Sequence, residues 1–144
     1  MLKSTCIAVS VVLGTAAIAN GTFMLIDPER WYYAVPGVTT TGLFNQHFVR
    51  DIGLIFLLVG GAFLVGAVRP NLRIVSWAAP SIWLSGHALF HFWEVAVGIC
   101  SPSVLARDFP AVTLPALIGL AITAWAIADS RTPTAAETVV KSAR

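Results

Sequence analysis

The stretch IVSWAAPSIWLSGHALFHFWEVAVGI, residues 74–99, decides how the chain is read. It is apolar along most of its length and exceeds the ~20 residues that a bilayer core demands of a helix. Within it His87, His91 and Glu94 follow one another at intervals of four and three. A helix of ~3.6 residues per turn stacks them on one face, which runs back through Trp83, Pro80 and Ser76. Ionisable side chains are costly in hydrocarbon, so this face points to a site of function.

Around that segment the whole chain has the composition of a membrane protein: 57% of its 144 residues are hydrophobic, 11% are charged, and the mean hydropathy is +0.81. Apolar stretches at residues 5–26, 48–68, 74–99 and 112–128 predict an all-α, integral membrane four-helix bundle. One transmembrane domain over residues 1–130 then uses nearly the whole chain, leaving residues 131–144 as a polar cytoplasmic tail. No repeat, low-complexity tract or basic block points to nucleic acid. Lys3, Arg69, Arg73, Arg131, Lys141 and Arg144 flank one side of the predicted bundle, and Arg30, Arg50 and Arg107 the other. The bias of basic loops toward the inside places both termini in the cytoplasm. Cys6 then lies near the inner face and Cys100 near the outer, too far apart for a disulfide.

The first segment carries Ser10, Gly14, Ala17 and Gly21 at helical spacing, a face that lets another backbone approach. Lys3, the apolar run and Ala17-Ile18-Ala19 also fit a cleavable secretory signal. Hydrophobicity resumes at residues 22–26, however, and an uncleaved membrane helix accounts for the full run. Asn20 is placed as a polar partner of the site.

In the first outer loop Asp27 is expected to cap a short helix with Pro28 in its first turn and Glu29 at its positive end. The aromatic residues Trp31, Tyr32 and Tyr33 would anchor that helix, amphipathic, on the outer surface. Asn45 is expected to cap the second long helix, with Phe44 packing on Val49 as a staple. The first turns of that helix set His47, Arg50, Asp51 and Leu54 on one face, with Gly53 and Gly60 taken to lie close to it. A short basic turn, residues 69–73, makes the second and third segments an antiparallel hairpin. At ~1.5 Å per residue, His91 and Glu94 reach the depth of His47 and Asp51, and His87 lies ~6 Å deeper. Residues 100–110, with Ser101-Pro102 and Arg107-Asp108, read as a connection, and Pro115, Gly119 and Thr123 as a small packing face on the last helix.

Three stretches together carry a resemblance: residues 31–37 (WYYAVPG), residues 44–53 (FNQHFVRDIG) and residues 87–91 (HALFH). They resemble a group of small bacterial four-helix inner-membrane proteins of unknown function, distantly similar to the DoxX-type membrane proteins. The resemblance implies a multi-pass protein of the bacterial inner membrane and brings no reaction and no catalytic residues with it.

The polar residues admit several readings. Imidazoles and carboxylates in a dry pocket are ligands for zinc, copper or iron, so His47, Asp51, His87, His91 and Glu94 together would form a transition-metal site with Arg50 as counter-ion. Alternatively, the same groups would form an ion-paired network that fixes the register of two helices. A haem between His47 and either His87 or His91 would make the chain an accessory subunit in haem- or quinone-linked electron transfer. Proton or solute transport is the remaining class. The expected surroundings are the lipid bilayer and either a homo-oligomer or a larger membrane complex.

Overall fold

A computed structural model describes residues 1–131 and is all-helical, with no strand among the described residues. The helices are α1 (Leu2–Ile26), α2 (Pro28–Ala34), α3 (Gln46–Val68), α4 (Arg73–Ala96), α5 (Ser103–Asp108) and α6 (Leu114–Ser130). A π-helical turn, Phe109–Thr113, joins α5 to α6. Among the described residues three stretches are long and apolar enough to cross a membrane: Leu2–Ile26, Gln46–Val68 and the run Ser103–Ser130. The described chain is thus a helical bundle of the kind that embeds in a lipid bilayer. Within α4 the serines, tryptophans, histidines and Pro80 dilute an equally long helix, which does not reach the same measure. All of the expected tail except Arg131 lies outside the described residues.

Both expected caps are present, with Asp27 accepting from the Arg30 amide and Asn45 from the Phe48 amide at 3.2 and 3.1 Å. These bonds satisfy donors that a helix start leaves without intrahelical partners. The ring of Phe44 packs on Tyr32, whose hydroxyl donates to the Gly42 carbonyl at 2.6 Å.

The closest helix pair is α1 against α3, antiparallel, and glycine makes it so. A Cβ on Gly21 would stand 2.6 Å from the Gly53 carbonyl, and one on Gly60 would stand 2.5 Å from the Gly14 carbonyl. Any side chain there would force the backbones apart. The register continues at both ends, where Ser10 Oγ donates to the Phe63 carbonyl (3.4 Å) and Arg50 Nε to the Leu25 carbonyl (3.1 Å).

Next in line, α4 packs on α3 through Trp77, which is fully buried and donates from Nε1 to the Phe63 carbonyl at 3.1 Å. Its indole occupies the space that a side chain at Gly66 would need. Arg73, also buried, donates to the Gly66 and Ala67 carbonyls, so its charge meets the negative C-terminal end of α3. On its other side α4 meets α6, with Ser81 Oγ 3.3 Å from Thr123 Oγ1 and Gly119 making room for Ser81. The bundle therefore runs α1, α3, α4, α6 in space, and α6 touches α1 only lightly. Its core includes Val59, Phe63, Trp77, Leu84, Ala116 and Ile122.

This register gathers Lys3, Arg69, Arg73 and Arg131 at one end. The opposite end is built from α2, the loop to α3, the C-terminal turns of α4, and α5. Both cysteines are free, Cys6 buried and Cys100 half-buried.

Candidate functional site

At the end opposite the basic turn, a polar chain climbs α4. Trp83 and His87 stack with ring centroids 5.5 Å apart and planes 8° from parallel, and His87 meets His91 edge-on at 4.8 Å. Intervals of four residues on one helix face produce this column, as the sequence indicates. His91 Nδ1 then lies 3.2 Å from Asp108 Oδ2, with the two side chains 19% and 13% exposed. Arg107 grips the same carboxylate at both oxygens, Nε to Oδ1 at 2.6 Å and an Nη to Oδ2 at 3.1 Å.

Asp108 can reach His91 because the backbone changes pitch beside it. Residues 103–108 are α-helical, but the π-helical turn that follows contains one extra residue per turn and a proline, Pro110. That insertion changes the rotation of α5 relative to α6, and Asp108 faces α4. The guanidinium of Arg107 also fills the space beside Gly37, where any Cβ would collide with it. Gly37 has a φ of 87°, so the turn after α2 needs glycine for its backbone as well as for this contact. One ion pair thus ties together α4, α5 and the loop between α2 and α3.

A carboxylate on Nδ1 favours the Nδ1–H form of His91 and leaves Nε2 as an acceptor. The chain ends inward at aromatic rings, with Phe56 of α3 packed edge-on against Trp83 at 5.4 Å. The site therefore offers an oriented imidazole at His91, with the His87 ring in edge contact beside it. It is closed on its inner side.

The buried five-residue metal site expected from the sequence is not there: no group of three or more His, Cys, Asp or Glu among the described residues is arranged to hold a metal ion. His47 and Asp51 pair only with each other, at 3.2 Å, with side chains 89% and 55% exposed. The reason is rotation about α3. At ~100° per residue, Gly53 and Gly60 lie about 120–140° around the helix from His47, not beside it. Packing the glycines on α1 turns His47 and Asp51 outward, which also removes His47 as a haem ligand opposite His87 or His91. Arg50 bonds to the Leu25 carbonyl, and the arginine that meets a carboxylate of the histidine column is Arg107. Glu94 is half-buried, and its backbone carbonyl receives the amides of Ile99 and Cys100 where α4 ends. Asn20 fastens α2 to α1, accepting from Trp31 Nε1 at 2.9 Å.

The sequence does not disclose the role of Asp108 and Arg107, because residues 100–110 read as a connection. Pro102, ahead of six helical residues, was the available signal, since proline is favoured at helix starts. Comparison with family models, with curated proteins and with solved structures finds no match.

Proposed function

We propose that the chain is a four-span protein of a bacterial inner membrane, both termini cytoplasmic, that accepts a proton at its outer end through His91. The observation that carries this reading is the His91–Asp108 pair, held from the far side by Arg107. A histidine oriented by a carboxylate is a proton acceptor with a defined free nitrogen, the arrangement used wherever an imidazole serves as a base. Asp108 is the positioning residue, and Arg107 keeps its carboxylate charged and in place. His87, whose ring meets His91 edge-on, is the second imidazole of the column, and beyond it lie only the rings of Trp83 and Phe56. Proton acceptance for a ligand or a conformational step at the outer leaflet fits this one-sided site better than a wire across the membrane.

The topology rests on charge. Even with the buried Arg73 set aside, Lys3, Arg69, Arg131, Lys141 and Arg144 outweigh Arg30, Arg50 and Arg107, and Arg107 is already neutralised by Asp108. Helix α4, flanked by two candidate spans, serves as the fourth span, and α2 with Tyr33 exposed lies at the outer surface. The glycine contacts of α1 with α3 favour an uncleaved first helix. The resemblance to small DoxX-type proteins belongs to this reading as architecture alone.

The test uses the indole stacked on His87, because an imidazolium over a tryptophan face changes its emission. In oriented vesicles, a step between pH 8 and pH 5, the range where histidine titrates, is applied from one side at a time. Only the outer step should change the fluorescence, and His87→Phe should abolish the response. Equal responses from both sides, or none, would refute one-sided proton acceptance.

A further inference from the structure

Helix α3 has four glycines, and the fold uses three of them. Gly53 and Gly60 admit α1, and Gly66 admits Trp77, whereas nothing among the described residues lies within 4 Å of a Cβ built on Gly61. Glycine within a helix weakens it relative to alanine, so one without an internal neighbour invites an external one. Gly61 continues the outward face of His47, Asp51, Leu54, Leu58 and Val65, residues spaced alternately by four and three. Leu54, Leu58 and Val65 are all exposed, and His47 and Asp51 make their ion pair in the open on the same face. Because α3 is long and apolar enough to span a bilayer, this leaves a carboxylate on a surface that lipid would otherwise cover.

We infer that this face of α3 is the contact with a second copy of the chain, the two helices running parallel about a two-fold axis along the membrane normal. Charge complementarity selects that occupant. A face that presents a histidine and an aspartate one turn apart is its own complement, since His47 of each copy can meet the second Asp51 oxygen of the other. Two-fold symmetry requires such self-complementarity, and alternating intervals of four and three make the seam along which parallel helices interdigitate. Below the polar pair, Leu54 and Leu58 meet their equivalents, and Gly61 lets the backbones close. The contact lies away from α4 and leaves the His91–Asp108 site untouched.

The full chain carrying Cys6→Ala and Cys100→Ala, purified and reconstituted into phosphatidylethanolamine–phosphatidylglycerol vesicles, tests this by oxidative cross-linking. Leu54→Cys and Leu58→Cys should each give a covalent dimer, several-fold more abundant than that from Val12→Cys, an exposed position on α1. Adding Gly61→Leu, whose Cβ has no neighbour within 4 Å among the described residues, should abolish the cross-link while the helix content stays unchanged. A chain that stays monomeric would mean that lipid headgroups cover His47 and Asp51, and equal yields at Leu58→Cys and Val12→Cys would mean random collision. Either result, or a dimer indifferent to Gly61→Leu, overturns the inference. So would cross-linking only to a different protein in native membranes.

Discussion

Around Trp77 nearly every polar side chain ends on a backbone carbonyl of a neighbouring turn or helix. Ser10 and Trp77 share the Phe63 carbonyl, Ser81 and Thr123 bond to the carbonyls four residues back, and Arg73 closes the end of α3. Around His91, roughly 21 Å farther along α4 at ~1.5 Å per residue, the polar groups end on one another, side chain to side chain, and all of them can ionise. The first arrangement spends its hydrogen bonds on holding three helices in register. The second holds a titratable group at the edge of the bundle, where a single protonation event can be felt by three segments. Membrane helices gain little from polar contacts, ~0.6–2 kcal/mol each, so a cluster of ionisable groups at this end is poorly explained by stability alone.

The contrast can be broken most forcefully at its structural end. Trp77→Ala removes a fully buried indole, its bond to Phe63 and its contact with Trp125. The expected loss is ~3–5 kcal/mol, measured by thermal unfolding in detergent. A loss below about 1 kcal/mol would mean that this end does not hold the bundle together.

A smaller effect is expected at the other end. The Arg107 side chain is a third exposed, so Arg107→Leu should cost about 1 kcal/mol or less. Its signature should be local: faster amide exchange in residues 35–42, where the guanidinium now packs against Gly37, with the α1–α3 contact unaffected. Global unfolding by this substitution would erase the distinction between the two ends.

How far the sequence discloses each end follows from the same physics. The structural end is legible because small residues at helical spacing have one use. Ser10, Gly14, Ala17 and Gly21 on α1, and Gly119 and Thr123 on α6, lie where that reading puts them. The caps at Asp27 and Asn45 are legible because their chemistry is local. The histidine column on α4 is legible from periodicity, but its partner is not. Asp108 is seventeen residues away from His91 in sequence and reaches it through a π-helical turn, a change of pitch with no hydrophobic signature. His47 and Asp51 mislead for a related reason. Periodicity says which residues share a face of α3 but not which neighbour that face meets, and here the glycines facing α1 decide it.

The chain contains three histidines, so nitrogen-15 labelling of histidine alone gives a spectrum in which each can be assigned by substitution. The central claim, that Asp108 orients His91, then has a direct readout in the full chain in bilayers. At neutral pH His91 should be protonated at Nδ1, Asp108→Asn should change its signals, and those of His47, exposed on α3, should not move. A His91 that populates both neutral forms in the wild-type chain, or one indifferent to Asp108→Asn, would contradict the account.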